Sequence, residues 1–256
     1  MKPQRVLITG GAKRIGRAIA LALAADGHRI AIHYHRSQQQ AEDLAALIRS
    51  DEGTAVTLGA DLCDEEATAG LVARAAEGLG GPITLLVNNA SVIVRDDVLT
   101  ATRESWEANM AVNLRAPFVL SQAFARDFLS QAEEPEGLIV HLIDHRVWKP
   151  SPVFATYSLS KAGLWWLTRT MAQALAPRIR VNAIGPGPVL PSPHQDNATF
   201  AAEATAVPLG RAVGTAEIAE AVRFLLRARS MTGQMLALDG GQHLAWMTPD
   251  MAASGG

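Results

Sequence analysis

The chain has 256 residues, 48% hydrophobic and 19% charged, which suits one large α/β domain and excludes a disordered chain. A net charge of −2 asks for neither nucleic acid nor an anionic membrane surface, and the single cysteine, Cys63, excludes internal disulfides and cysteine-rich metal sites. No apolar run approaches the roughly 20 residues that span a bilayer, and MKPQRVLITGG lacks an apolar signal core, so a cytoplasmic protein is expected.

RVLITG (Arg5–Gly10) reads as a buried strand, followed by Ile15, Ile19, Ala22 and Leu23 at helical spacing. RIAIHY (Arg29–Tyr34) is a second strand and Gln38–Arg49 a second helix; Thr54–Leu58 and Glu65–Leu79 repeat the pair. ITLLVNN (Ile83–Asn89) is a fourth strand, and one long helix is expected over Arg103–Leu129. GLIVHLID (Gly137–Asp144), a helix over about Val153–Leu175, RIRVNAIG (Arg178–Gly185), a helix over Thr215–Leu226 and QMLALD (Gln234–Asp239) complete the pattern. Seven strands with helical crossovers imply an α/β fold, a seven-stranded parallel sheet with helices on both faces. No linker or repeat divides it. The Pro-rich stretch Ile184–Asn197 is too long for a tight crossover turn and is expected to be a functional loop, with a substrate loop over about 186–205. MAASGG (251–256) is expected to be a disordered tail.

TGGAKRIG (Thr9–Gly16) joins the first strand to the first helix. Backbone N–H groups at a helix start face an anion and the helix dipole favours it, so strand, glycine-rich turn and helix together read as a phosphate site. Gly10 and Gly16 permit a tight turn and close packing, although strict GxGxxG spacing is absent and Arg14 stands where a glycine would be expected. In a dinucleotide-binding fold the second strand ends near the adenosine ribose, where an acid would take the 2′-hydroxyl. HYHRS (His33–Ser37) has no acid there; Arg36 can fork onto a 2′-phosphate and Ser37 can donate to it, which favours NADPH over NADH. His33 and His35 share one face of the strand but lack the third ligand of a metal site. Tyr157 and Lys161 are four apart on a helix and share a face; a cation near a phenol lowers its pKa from about 10, preparing Tyr157 for proton transfer. Asp144 closes a strand, where sites in open α/β sheets form.

TGGAKRIG, NNAS (Asn88–Ser91), YSLSK (Tyr157–Lys161), GPGPV (Gly185–Val189) and DGG (Asp239–Gly241), in that order, resemble the short-chain dehydrogenases/reductases over almost the whole chain. Within that superfamily the chain looks most like pteridine reductases and dihydromonapterin reductases. Arg14 in TGxxxRxG, HYHRS, Asp144 where most relatives carry the catalytic serine, and the closing DGGQHL carry that likeness. The resemblance implies a single Rossmann-type domain over 1–250, an NADPH/NADP cofactor, and a homotetramer built on the catalytic helix and the long helix before it. It assigns Gly10, Arg14, Ile15, Gly16, His35, Arg36, Ser37, Asp61 and Leu62 to the cofactor, with Asp61 beside the adenine. Asn88, Ala90, Ser91, Tyr157, Lys161, Pro186, Gly187 and Val189 complete that set, with Arg14 and Ser91 on the phosphates. It assigns Ser91, Ile93, Asp144, Tyr157 and Gly187 to the substrate. Asn113 matches the helix asparagine that holds a proton-relay water in many members, and forms the catalytic set with Asp144, Tyr157 and Lys161.

The reaction so implied is reduction of the C=N bond of a 7,8-dihydropterin (dihydromonapterin, dihydrobiopterin or dihydrofolate). Hydride arrives at C6, and N5 takes a proton from Tyr157, Asp144 or an ordered water. An ionised Asp144 only accepts hydrogen bonds and repels developing negative charge, so it suits a substrate rich in N–H donors. One rival is a reductase of ketones or 3-oxoacyl thioesters, against which Asp144 stands. Another is a catalytically silent nucleotide sensor, against which Tyr157, Lys161 and Asn113 stand. Pteridine reductases usually stack an aromatic ring two residues after NNAS, where this chain has Ile93; Trp148 and Trp246 are candidates to compensate. His194 and Gln195 in the loop are candidates to touch substrate. Trp165 and Trp166 cannot share one helix face, so one is expected to enter the core and the other to meet a partner subunit.

Overall fold

The computed structural model describes residues 2–131, 136–192 and 195–246; the tail expected over 251–256 lies outside them. Strands Arg5–Ile8 (β1), Arg29–Tyr34 (β2) and Thr54–Gly59 (β3) alternate with helices Arg14–Ala25 (α1), Gln38–Ser50 (α2) and Glu65–Leu79 (α3). Leu85–Asn88 (β4) leads to Arg103–Met110 (α4) and Ala116–Ser130 (α5), then Gly137–Leu142 (β5) and Ala155–Leu175 (α6). Ile179–Pro186 (β6), Asn197–Ala206 (α7), Thr215–Arg227 (α8) and Met235–Leu238 (β7) follow. All seven strands pair in parallel in the order β3-β2-β1-β4-β5-β6-β7, the sheet expected from the sequence.

Strand alternation explains why this sheet carries helices on both faces. Val6, Ile8, Ile30, Ile32, Leu85 and Val87 share one core with Ile19 of α1, Leu44 of α2 and Ile218 of α8. Leu7, Ala31 and Leu86 point the other way, into a second core with Leu71 of α3 and Leu120 and Phe124 of α5. With both faces covered, every strand position favours an apolar residue, which is why the strands read as unbroken hydrophobic runs. The strand order reverses between β1 and β4, and the crevice at their carboxyl ends is where ligands enter sheets of this kind.

Two expectations are corrected. The single helix expected over Arg103–Leu129 is two helices joined by a π-turn at Ala111–Arg115. Pro117, in the first turn of α5, has no N–H to return to the carbonyl of Asn113, so the regular ladder cannot pass that point. The segment 186–205, expected to be a loop throughout, contains a strand end and a helix. β6 runs on to Pro186, and the Asp196 carboxylate accepts the Thr199 amide at 2.7 Å to start α7. Of the adjacent tryptophans, Trp165 turns inward against Ile143, Ala183 and Met235, while Trp166 is 65% exposed. No helix among the described residues is long and apolar enough to cross a membrane.

Candidate active site

The turn after β1 and the start of α1 open on a cavity of about 400 Å³, within the range of small-molecule sites. Gly10 has a φ of +60°, and a Cβ at Gly16 would strike the Gly10 carbonyl and the Asn89 amide, so glycine is required at both. No side chain caps the first turn of α1, which leaves its amides facing the cavity beside Lys13 and Arg14. Arg14 itself has a φ of +54°, a left-handed conformation that explains why a glycine would sit there at less cost. Its guanidinium donates to the carbonyls of Pro191 at 2.9 Å and Leu190 at 3.2 Å, and so ties this turn to the segment after β6.

His35, Asp61 and Leu62, from just past the ends of β2 and β3, also line the cavity. His35 Nε2 lies 3.6 Å from the Asp61 carboxylate. The Cys63 amide, above all, holds the Asp61 carboxyl below its usual value, and the charges of His35 and Arg36 add to the effect. Arg36 is exposed at the bend after β2, next to His35, and Ser37 begins α2 without a side-chain capping bond.

A second cavity, of about 190 Å³, shares Arg14, Ile15, Asn89 and Ser91 with the first. It is lined by Asp144, Tyr157, Lys161, Pro186, Gly187 and Val189, so the two halves of the predicted set meet in one crevice. The Tyr157 hydroxyl donates to Asp144 Oδ2 at 2.9 Å. Asp144 also accepts from the Arg146 amide at 2.8 Å, and Arg146 Nη1 donates to both of its oxygens, Oδ2 at 3.0 Å and Oδ1 at 3.2 Å. His145 Nδ1 is 3.1 Å from Oδ1 of the same carboxylate. Asp144 is therefore not an open acceptor: a substrate donor reaching it must displace Arg146 or Tyr157.

The expectation that Lys161 lowers the Tyr157 phenol is corrected. Burial, then the charge and hydrogen bond of Asp144, push the phenol well above its usual value. Lys161 does not reach the hydroxyl; its Nζ donates to the Leu142 carbonyl at 2.9 Å and lies 5.7 Å from the Tyr157 ring centroid. Burial pulls Lys161 itself down to about 8, with Asp144 opposing. Asn113, fully buried in the π-turn, accepts from the Ser91 hydroxyl at 3.0 Å and the Val92 amide at 2.9 Å. It donates to the Val92 carbonyl and to Ser160, so its side chain pins the floor of the crevice to α6.

Several expected residues sit elsewhere. The Asn88 side chain points behind the crevice, to His141 and Ser121, because Asn88 still belongs to β4 and faces the second core. Ala90 lines the cavity as expected, together with Asn89, which the sequence reading passed over. Ile93 is half-buried and outside the lining of both cavities; Val92 lines the first. Trp148 packs edge-on against His243, with ring centroids 5.1 Å apart, and Trp246 is 67% exposed; neither lines the crevice. Gln195 donates to Glu203 of α7 at 2.8 Å, and His194 lies outside the described residues. Arg146 was missed because its role depends on the short turn at His145–Val147. Among the described residues no group of three or more His, Cys, Asp or Glu is placed to hold a metal ion.

A doubly wound parallel sheet, a glycine-rich turn at its reversal and a Tyr–Lys pair in the same crevice define a nucleotide-dependent oxidoreductase. The chain belongs to the short-chain dehydrogenase/reductase family: the family model described as enoyl-(acyl carrier protein) reductase matches residues 10–243. It is 35% identical to D-erythrulose reductase of Gallus gallus over 93% of this chain and 95% of that protein. L-xylulose reductase of Bos taurus is 36% identical over 93% of this chain and 96% of its own length. The crystal structure of FolM alternative dihydrofolate reductase 1 from Brucella suis in complex with NADP is 48% identical, with a TM-score of 0.91, covering 96% of this chain and 97% of that chain.

Proposed function

We propose that this protein is an NADPH-dependent reductase of a dihydropterin: dihydromonapterin, dihydrobiopterin or dihydrofolate. The observation that carries the reading is the buried carboxylate of Asp144, held against the Tyr157 hydroxyl at the end of β5. A carboxylate there, once a substrate donor displaces Arg146 or Tyr157 from it, suits the N–H-rich edge of a pterin and disfavours a simple carbonyl oxygen. The 48% identity to the Brucella suis alternative dihydrofolate reductase supports the same substrate class.

NADP(H) fits the residues present. The glycine cradle at Gly10 and Gly16 and the uncapped start of α1 suit its phosphates, with Arg14 beside them, and Arg36 and Ser37 suit a 2′-phosphate. When bound, NADPH supplies the hydride. The chain supplies the proton: Tyr157 is kept protonated by burial and by Asp144, and so stands loaded as the acid for N5. Arg146 fixes the Asp144 carboxylate, Asn113 holds Ser91 and Val92 in place, and Lys161, anchored on the Leu142 carbonyl, would help hold the cofactor. Ser91, Gly187 and Asp144 face the substrate. An exposed apolar depression lined by Trp106, Met110, Leu114, Phe118, Trp166 and Leu167 supports self-association through α4, α5 and α6, in a cytoplasmic homotetramer.

The second reading is a carbonyl or 3-oxoacyl thioester reductase, favoured by the 35% and 36% identities to the two sugar reductases and by the description of the family model. The deciding assay follows NADPH oxidation with dihydrobiopterin, dihydromonapterin, dihydrofolate, L-xylulose and an acetoacetyl thioester. Pterin turnover that drops in Asp144→Ser is the expected result; turnover of a carbonyl substrate alone sinks the first reading. Arg36→Ala is expected to weaken NADPH at least tenfold more than NADH, since it removes a charge-assisted fork worth about 1.5–3 kcal/mol. Equal losses with the two cofactors in binding titrations would remove Arg36 from the 2′ site.

A further inference from the structure

His33 is a buried titratable side chain of the HYHRS stretch that the proposed chemistry does not use, and it is 1% exposed. Its ring nitrogens have different partners on different segments. Nδ1 accepts the Gly10 amide at 3.1 Å, and Nε2 faces the Ala60 carbonyl at 3.1 Å. Because the Gly10 nitrogen can only donate and the Ala60 oxygen can only accept, these contacts fix one neutral tautomer, with the proton on Nε2. The backbone joins in, for the Gly11 amide donates to the His33 carbonyl at 2.9 Å.

The Gly10 peptide is thereby held from both sides of the strand reversal. Its N–H is taken by His33 of β2, and its carbonyl accepts from Asn89, just past β4, at 3.1 Å. Ala60, the other partner, directly precedes Asp61, which lines the same cavity. A single imidazole thus spans the glycine-rich turn and the wall at Asp61 and lines the cavity between them.

We propose that His33 is a positioning residue for the dinucleotide: it sets the orientation of the Gly10 peptide and the separation between the phosphate turn and the Asp61 wall. This inference rests on the NADP(H) reading above. The Gly10 N–H is spent on the imidazole rather than on a phosphate, so His33 shapes the cradle without being a contact of the phosphates.

Three substitutions test it by taking the ring apart. His33→Asn places Oδ1 where Nδ1 was and can keep the Gly10 contact. His33→Gln places Nε2 where the ring Nε2 was and can keep the Ala60 contact. His33→Phe keeps the bulk and neither bond. The measurements are the NADPH dissociation constant by fluorescence titration, kcat and KM for NADPH, and thermal melts. His33→Phe and His33→Gln are expected to weaken NADPH about tenfold or more, the consequence of an unpaired buried Gly10 N–H. His33→Asn is expected to stay within about threefold of wild type in affinity, and kcat at saturating NADPH is expected to fall far less than KM rises in all three. A merely structural role would lower the melting temperature in all three variants without this rescue by asparagine. Unchanged NADPH affinity in His33→Phe, or an asparagine variant as impaired as the phenylalanine one, overturns the proposal. Where His33→Phe fails to fold, the glutamine and asparagine pair gives the same comparison. A wild-type protein that does not bind NADPH fails the functional reading itself, whereas wild-type binding with indifferent variants fails only this inference.

Discussion

Tyr157→Phe is expected to lower kcat for dihydropterin reduction by about 10²–10⁴-fold, the usual contribution of a positioned general acid. The substitution removes one hydroxyl and nothing else. That hydroxyl is buried, donates to Asp144 Oδ2 at 2.9 Å, and is the proton on the crevice side of α6. Burial and the Asp144 charge keep it protonated, so the group enters the reaction carrying its proton, while the same raised pKa makes it a weaker donor than a free phenol. Hydride arrival without a proton leaves an amide anion on N5, and the rate loss measures how much of the barrier that proton removes. Single-turnover kinetics at saturating NADPH give the number, and the NADPH dissociation constant is expected to move much less, because the Gly10–Gly16 cradle is untouched. A loss below about tenfold would transfer the role of proton donor to Asp144 or a water.

The comparison of Tyr157 with its neighbours shows where sequence reasoning reaches and where it stops. The spacing of Tyr157 and Lys161 placed both in the crevice, because four residues on a helix is a geometric fact. It did not give the electrostatics. Lys161 Nζ finds the Leu142 carbonyl at the end of β5, and Asp144 reaches the phenol first. Those are contacts between segments far apart in the chain, invisible to local periodicity. Asn88 and Asn89 differ in the same way: one residue of strand register sends Asn88 into the core beside His141 and leaves Asn89 in the crevice. The strands were legible throughout because a sheet buried on both faces leaves unbroken apolar runs. α7 was not, since NATFAAEATA has no apolar stripe and buries only Ala204; its one signal was the capping Asp196. Pro117 stood in plain view within the expected long helix, and the π-turn that follows from it puts Asn113 against Ser91 and Val92.

The protein is expected to lose stability steeply as pH falls from 6.5 to 5, before its carboxylates titrate. Burial depresses His33 to about 4, and burial, with the nearby Lys161 charge, depresses His141 to about 3. Burial also leads the lowering of His28 and His145. In this window the unfolded chain, with histidines near 6.5, takes up protons that the folded chain refuses, so acidification favours unfolding. The carboxylates work in the opposite range. A group held low when folded, such as Glu217 at about 2 through Arg211, loses its contribution only as pH falls below the ordinary carboxylate value of about 4.5. For His33 and His141 each, refusal of the proton costs about 2 kcal/mol by pH 5. Set against a total stability of about 5–15 kcal/mol, that is a large fraction, and it corresponds to a Tm about 10 °C lower at pH 5 than at pH 7.5. The geometry says why neither ring can accept the proton in place. At His33 a second N–H would face the Gly10 N–H, and at His141 Nδ1 faces the Asn88 amide nitrogen while Nε2 has no hydrogen-bond partner among the described residues. Melts from pH 7.5 to 4.5 test this, with a His33→Asn/His141→Asn double variant as the control. Asparagine keeps an acceptor at each δ position and carries no titratable proton, so the double variant is expected to flatten the profile above pH 5 whatever its absolute stability. A double variant with the wild-type slope would move the acid sensitivity from these two buried rings to His28, His145 and the carboxylates.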